Sequence, residues 1–259
     1  MPFPDVRLAS RPLHFFYICD CSGSMQAEGR MPSLNQAIRQ SLPGMAEVAR
    51  QNPEARVLVR AVSFADRAGW HIATPTPVEQ VRWTDLQAGG VTAMGEALEL
   101  VAAELRSPPM EARALPPVLV LISDGQPTDD FDAGLHALMR EPWARRAVRL
   151  AIAIGHDADT DVLQQFIGED PGLPAGEVPG ASGQMPRHPV GRSPRRPLPA
   201  SNATTLARYL QWASTAVVGA ASTSASRLGG GDDGGGPVPL PDLPPTELDP
   251  LEDPDPIKW

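Results

Sequence analysis

The sequence has almost no lysine. Of its 22 basic residues only Lys258 is a lysine, and the other 21 are arginines. Acidic residues number 31, so the formal net charge is −9. General binding to nucleic acid or to an anionic membrane surface requires a basic face. The charge balance therefore argues against both kinds of partner.

Cysteines and long apolar runs are also scarce. Cys19 and Cys21 are the two cysteines; they are too close for an ordinary disulfide and too few for a zinc site of about four ligands. We therefore expect reduced thiols. No apolar run approaches the roughly 18 residues of a membrane span, and the first residues lack the basic and apolar regions of a signal peptide. These absences predict a cytoplasmic protein without a membrane span.

Proline and glycine, at 30 and 23 residues, are spread unevenly. A chain of 259 residues favours one domain with appendages, and we predict that domain over residues 12–226. Residues 171–200 hold eight prolines and four arginines, which indicates a basic surface insert. Residues 227–259 combine a Gly-rich linker with an acidic, Pro-rich tail, which cannot build a core and is expected to be disordered when free.

Apolar runs predict five strands. The runs at residues 14–19, 118–122 and 148–154 are nearly continuous, as in strands that are covered on both faces of a parallel sheet. Residues 56–64 predict a fourth strand, and residues 70–74 pair beside it as an edge hairpin.

Between the strands the apolar spacing changes to that of helices. The apolar stripes lie in residues 34–48, 94–105, 131–138, 162–167 and 206–217. Strands that alternate with helices predict an α/β fold with right-handed crossovers. We expect a central, mostly parallel six-stranded sheet that is flanked by helices on both faces.

The turn after the first strand carries oxygen ligands in a suggestive order. Asp20, Ser22 and Ser24 follow one another at every second position, and Gly23 permits a tight turn. In an open parallel sheet, ligands gather outside the carboxyl ends of the strands. Thr92 opens a predicted helix and Asp124 ends another strand at the same edge. One carboxylate or hydroxyl from each of these five residues would suit Mg²⁺.

At this point the chain resembles the von Willebrand factor A domains with their metal-ion-dependent adhesion site. The motif Asp-x-Ser-x-Ser, a distant Thr and a distant Asp match Asp20, Ser22, Ser24, Thr92 and Asp124. Within that family it looks most like the bacterial TerY-type branch, which is associated with tellurite resistance and stress. The shared stretches are residues 20–25, 88–98, 123–130 and 154–161.

The resemblance implies a Rossmann-like fold and a site for Mg²⁺, or for Mn²⁺ or Ca²⁺. It implies a non-enzymatic adaptor in which the metal is completed by a carboxylate from another protein. A protein kinase and a metal-dependent protein phosphatase are the partners it suggests, in a bacterial stress or conflict system.

Two other functions fit parts of the sequence. A phosphotransferase could use Asp20 as nucleophile, but Ser22 stands where such enzymes need a second acid, and no lysine precedes Lys258. A regulatory substrate of a kinase could use the hydroxyl-rich run from Ser214 to Ser226.

Several other polar residues are predicted to have structural roles. Asp129 and Asp130 are expected to cap the next helix, with support of the metal ligands as the alternative. Residues 156–161 alternate acids as a calcium loop does, but Val162 and Gly168 stand where that loop needs Gly and Glu. We predict a turn and a helix cap there.

The tail is predicted to be a linear binding segment. Its acids are interleaved with prolines, and it ends in Ile257, Lys258 and Trp259. We expect it to dock either on a partner protein or on the arginines of the insert.

Overall fold

A computed structural model gives the architecture. It describes residues 10–168 and 196–221, together with Pro241. Most of the predicted basic insert and nearly all of the acidic tail lie outside the described residues, so the predictions for them stay predictions. No helix in the described part of the chain is both long enough and apolar enough to cross a membrane.

Six strands form one sheet, and their order confirms the predicted fold class. Their order across the sheet is β3, β2, β1, β4, β5, β6; β3 is antiparallel to β2, and all other neighbours are parallel. The strands are β1 (Arg11–Asp20), β2 (Ala55–Phe64), β3 (Ala68–Pro77), β4 (Val118–Ser123), β5 (Val148–Ile154) and β6 (Leu198–Ala200).

The helices cover both faces of this sheet. They are α1 (Arg30–Gln51), α2 (Met94–Glu104), α3 (Phe131–Arg140), α4 (Pro142–Arg146), α5 (Thr160–Ile167) and α6 (Ala203–Trp212). On one face, Leu34 of α1 and Leu210 of α6 pack in the same core as Tyr17 of β1. On the other face, α2, α3 and α5 pack against Phe16 and its neighbours.

The central strand β1 shows why the apolar runs were continuous. Phe15 and Tyr17 face the α1 side, whereas Phe16 and Ile18 face the α2 side, and all four are fully buried. Because successive side chains of a strand point to opposite faces, a strand buried between two helix layers must be apolar at every position.

Two short elements were not predicted. The strand β6 lies inside the range 171–200 that was predicted to be a surface insert, so that prediction is wrong for the last residues of the range, which belong to the sheet. Only Leu198 and Ala200 of its three residues are buried, which is too short a pattern to recognise. The helix α4 is a five-residue turn that begins at Pro142. The predicted domain bounds 12–226 stay a prediction.

A buried asparagine fixes the long connection between β3 and α2. The side-chain oxygen of Asn35 accepts hydrogen bonds from the Trp83 ring N–H (3.0 Å) and the Leu86 backbone N–H (2.8 Å). Its amide nitrogen donates to the Leu86 carbonyl at 3.0 Å. All three contacts tie the connection to α1, so this segment approaches the edge of the sheet along a fixed path.

We expect Asn35→Ala to lower the free energy of unfolding by about 2–4 kcal/mol. The substitution removes three hydrogen bonds, to the N–H and carbonyl of Leu86 and to the Trp83 N–H, each with a net contribution of about 0.5–1.5 kcal/mol. Urea unfolding measures this loss. The control is Gln51→Ala, which removes an exposed side-chain bond to Glu47 and is expected to change stability by less than about 0.5 kcal/mol. Equal effects of the two variants would contradict this role of Asn35.

Candidate metal centre

Two neighbouring strand ends bring the predicted acids to one place. Asp20 is the last residue of β1, and Asp124 directly follows β4. Because β1 and β4 are paired in parallel, with Cys19 opposite Ile122, Asp20 lies beside Ser123. The carboxyl ends of the two strands therefore place both acids at the same edge of the sheet, as the sequence predicted.

The carboxylate of Asp20 is held at both oxygens. Its Oδ1 accepts the Ser22 backbone N–H at 2.8 Å, and its Oδ2 accepts the Ser123 hydroxyl at 2.5 Å. The Ser123 hydroxyl in turn accepts the Gly125 backbone N–H at 2.9 Å. Ser123 is fully buried, and it was not among the residues predicted to form the site. Its place at the end of a buried strand, beside an acid, was the available signal.

The two serines of the turn lie against each other. The hydroxyl oxygens of Ser22 and Ser24 are 2.9 Å apart, with Ser22 buried and Ser24 half-buried. The Ser22 N–H bond to Asp20 closes the turn. Three of the five predicted ligands are thus linked to one another directly by hydrogen bonds.

The loop that carries Thr92 is bonded to the loop that carries the serines. Gly23 donates its N–H to the Gly90 carbonyl at 3.0 Å, and Gly89 donates to the Cys21 carbonyl at 2.7 Å. Gly90 has φ +82°, a left-handed conformation that favours glycine. These bonds hold residues 89–92 at the same edge as Asp20.

Thr92 is also fixed from the β4 side. Its backbone N–H donates to the Thr128 hydroxyl at 3.0 Å, and its carbonyl accepts the Thr128 N–H at 2.9 Å. Thr92 is buried. Thr128 lies in the loop that follows Asp124, so one loop positions two of the predicted ligands. Sequence reasoning missed Thr128 because its contact joins residues 36 positions apart.

Asp124 is buried and its backbone is anchored. Its carbonyl accepts the Asp159 N–H at 2.6 Å, which ties the loop after β4 to the loop after β5. The bond from the Gln126 N–H to its carboxylate is long, at 3.4 Å. The carboxylate of Asp124 is therefore less fully occupied by hydrogen bonds than that of Asp20.

Asp20 and Asp124 are two buried acids at the same edge of the sheet, and their negative charges repel each other. Burial raises the pKa of the Asp20 carboxyl, the hydrogen bonds from Ser123 and Ser22 oppose the rise, and the negative charge of Asp124 adds to it. Within residues 10–168 and 196–221, neither acid forms an ion pair with an Arg or His side chain. A bound divalent cation would neutralise the pair.

The donor chemistry fits a hard cation. Two carboxylates and three hydroxyls are oxygen ligands, which Mg²⁺ and Ca²⁺ prefer. In the part of the chain that the structure describes, no three His, Cys, Asp or Glu side chains form a metal cluster, so hydroxyl oxygens are needed to complete a ligand set. Cys19 and Cys21 are buried free thiols, as predicted, and burial raises the pKa of Cys21 to about 12. They stay protonated and are poor ligands.

The two acids after Thr128 cap two different helices. Asp130 accepts the Ala133 N–H at 2.9 Å and caps α3, as predicted. The same prediction for Asp129 is wrong. Its two carboxylate oxygens accept the N–H groups of Gly95 and Glu96, each at 2.9 Å, and so cap α2. The N-terminus of α2 contacts Asp129 in the fold although it lies more than 30 residues away in the sequence. The residues around Asp129 therefore do not reveal this contact.

The helices α2 and α3 approach closely through glycines. A Cβ on Gly134 would lie 2.3 Å from the Gly95 carbonyl oxygen, and a Cβ on Gly95 would lie 2.4 Å from the Asp130 carbonyl oxygen. Neither position has room for a side chain. The first turns of both helices are therefore packed backbone to backbone, directly behind the Thr92 and Thr128 loops.

The loop after β5 confirms the predicted turn and cap. Asp159 accepts the N–H groups of Asp161 and Val162 at the start of α5. Asp157 instead pairs with the buried Arg30 of α1 at 3.2 Å. The Gln126 side chain donates to the Asp157 carbonyl at 2.9 Å. This loop thus joins the start of α1 to the Asp124 loop.

The sequence profile of the von Willebrand factor type A domain matches residues 16–177, which is more than half of the chain. The chain belongs to the von Willebrand factor type A family. Domains of this family are typically modules for adhesion and protein binding, and they are usually not catalytic. No curated protein matches the chain.

Solved structures agree on the von Willebrand factor type A fold. A von Willebrand factor type A protein from Catenulispora acidiphila has a TM-score of 0.52 at 16% identity, over 82% of this chain and 43% of its own. Proximal thread matrix protein 1 from the mussel byssus has 0.53 at 14%, over 82% and 49%. The pilus adhesin SpaC from Lactobacillus rhamnosus GG has 0.56 at 11%, over 80% and 31%. The chain thus covers less than half of each, and the likeness is one of fold.

We expect Asp20→Asn to stabilise this von Willebrand factor type A domain in chelator at neutral pH. Because the folded pKa of Asp20 is raised above its unfolded value, stability is lost as pH rises through the folded pKa. Asn carries no charge, so the variant avoids that loss. The melting temperature of the variant is therefore expected to lie above that of the wild type.

The gain is expected to shrink as pH falls through the folded pKa of Asp20 and to be absent below about pH 3, where wild-type Asp20 is protonated in both states. Calorimetry of both proteins in EDTA at the two pH values provides the measurement. A lower melting temperature of the variant at neutral pH would contradict the prediction.

Proposed function

We propose that this von Willebrand factor type A domain is a metal-dependent protein-binding module. Asp20, Ser22, Ser24, Thr92 and Asp124 are its metal ligands, and Mg²⁺ is the ion we expect, with Mn²⁺ or Ca²⁺ as substitutes. The observation that carries the proposal is the pair of buried acids, Asp20 and Asp124, without a cationic partner in the described residues.

The remaining residues of the site position the ligands. Ser123 fixes the orientation of the Asp20 carboxylate, and Thr128 fixes the backbone of Thr92. Such contacts restrict ligand motion, and losing one typically lowers metal affinity about 10–100-fold. When bound, the cation supplies an open coordination position and a strong local charge for an incoming carboxylate.

The ligand on this account is an acidic side chain of a partner protein. The bacterial TerY-like identity, with its role in tellurite resistance or stress, is part of the proposal. So are a protein kinase and a metal-dependent phosphatase as partners, and a cytoplasmic location. The family match supports protein binding in general; these finer assignments derive from the motif resemblance at residues 20–25, 88–98, 123–130 and 154–161.

The alternative phosphotransferase is disfavoured by the surroundings of Asp20. A nucleophilic carboxylate needs an oxygen that substrate can approach, whereas a metal ligand needs only a further lone pair on an oxygen that already accepts a hydrogen bond. Asp20 has no exposed surface, and each of its oxygens already accepts a hydrogen bond. We propose that the domain is not an enzyme. Sustained hydrolysis of a generic phosphoester in Mg²⁺, lost in Asp20→Asn, would contradict this.

The alternative function, a regulatory substrate of a kinase, requires hydroxyl groups that a kinase can reach, and Ser214 is not accessible. This residue is fully buried, and its hydroxyl donates to the Gln211 carbonyl at 3.0 Å. Thr215 makes the same bond at 2.7 Å. The hydroxyls at 222–226 lie outside the described residues, so modification there stays a hypothesis.

We expect Asp20→Ala and Asp124→Ala each to abolish measurable Mg²⁺ binding while the domain stays folded. Each variant removes one of two carboxylates that bind the ion. Ser123→Ala is expected to weaken binding about 10-fold, because Asp20 keeps its charge but loses its orienting bond. Titration calorimetry with Mg²⁺ alone measures the affinities, and circular dichroism reports folding.

The matched control is Asp132→Asn, which removes an exposed acid in the first turn of α3. It is expected to keep the wild-type Mg²⁺ affinity. If the two alanine variants bind Mg²⁺ as tightly as this control does, the proposed site is wrong.

A further inference from the structure

One apolar side chain stands out on the surface. In the described ranges 10–168 and 196–221, Val91 is the one large hydrophobic residue that is exposed, at 51%. Single exposed apolar residues are common in proteins. The position of this one is distinctive, because it directly precedes the predicted metal ligand Thr92.

The loop holds Val91 outward and in place. The Val91 N–H donates to Asp66 Oδ1 at 3.0 Å, and Gly90 is so close to the Asp66 carboxylate that a Cβ there would lie 2.4 Å from it. The carbonyl of Gly90 also accepts the N–H of Gly23, the residue that lies between Ser22 and Ser24 in the sequence. Val91 is thus fixed one residue from Thr92, next to the loop that carries Ser22 and Ser24.

This arrangement defines the chemistry of a ligand. A carboxylate binds at the metal centre, and an aliphatic side chain next to it covers Val91. Val91 directly precedes Thr92 in the chain, and adjacent residues are about 3.8 Å apart at Cα, so we place the acid and the aliphatic residue of the ligand one or two positions apart. A polar neighbour would leave Val91 exposed.

We propose that residues 247–253 of this chain occupy the metal centre and thereby regulate it. They read Glu247-Leu248-Asp249-Pro250-Leu251-Glu252-Asp253, so each leucine has an acid beside it. This inference rests on the proposed function, since it requires a metal that accepts a carboxylate. The proposed docking site differs from the two predicted from the sequence, which were a partner protein and the arginines of the insert.

Composition and tether length favour this segment as the occupant. Residues 229–259 carry eight acids and one lysine, whereas the rest of the chain is nearly neutral. The 26 residues from Ala221 to Glu247 span up to about 90 Å when extended, which exceeds the dimensions of one domain. A tethered ligand acts at an effective concentration of about 1 mM. A contact that is weak between separate molecules can therefore fill the site.

The test is a competition in the full chain. A labelled peptide with the sequence of residues 245–255 is titrated into three proteins in Mg²⁺ by fluorescence anisotropy: the wild type, a variant with residues 247–253 replaced by Gly-Ser of equal length, and a control with residues 237–243 so replaced. We expect the peptide to bind the 247–253 variant about 10-fold more tightly than the other two. EDTA is expected to abolish binding.

A second pair of measurements isolates the contact with Val91. In the 247–253 variant, Val91→Ser is expected to weaken peptide binding about 5-fold, and Val91→Ile to keep it, because only the serine removes apolar contact area. A peptide with both leucines replaced by serine has the same charge and is expected to lose the same factor in the valine protein.

Each other result has a defined meaning. Equal peptide affinity in all three proteins would overturn docking of residues 247–253. If Val91→Ser has no effect, the two-point contact is wrong. A dimer that disappears on replacement of 247–253 would assign the segment to a second copy and overturn docking within one chain. Mg²⁺ binding without peptide binding defeats this inference alone, whereas loss of Mg²⁺ binding itself defeats the proposed function.

Discussion

The hydrogen bond from Ser123 to Asp20 is the contact on which the site depends. It joins the last residue of β4 to the last residue of β1, across two parallel strands whose register is set by a fully buried core. A one-residue slip of either strand would move its side chain to the opposite face. The packing of Phe16 and Ile18 against α2 thus determines where the Asp20 carboxylate lies. The geometry of the site therefore depends directly on the packing of the core in this domain.

Much of this could be read from the sequence, and the reason is geometric. Asp20 directly follows one apolar run and Asp124 follows another after Ser123. Parallel strands end at one edge, so no knowledge of the tertiary contacts was needed to bring the acids together. The strand β3, in which no residue is buried, was predicted only as an edge partner of β2, whereas β1, β4 and β5 were found from their apolar runs. Their burial on both faces leaves a pattern that few other structures share.

What escaped the sequence depends on contacts between distant residues. Ser123, Thr128 and Asp129 act on Asp20, Thr92 and the α2 N-terminus, which lie 33 to 103 positions away. The residues next to them in the sequence do not indicate these partners. Because Asp129 stands beside Asp130, the sequence suggests that both cap the same helix. The strand β6 was missed for a different reason, since two buried residues cannot establish a period.

The contact between Gly95 and Gly134 limits how this domain can transmit a signal. Helices that touch backbone to backbone cannot slide or rotate past each other without a clash, because there are no side chains to rearrange between them. Asp129 and Asp130 join the first turns of both helices to the loop that holds Thr92. We therefore expect the first turns of α2 and α3 to move as one unit if the Thr128 loop moves.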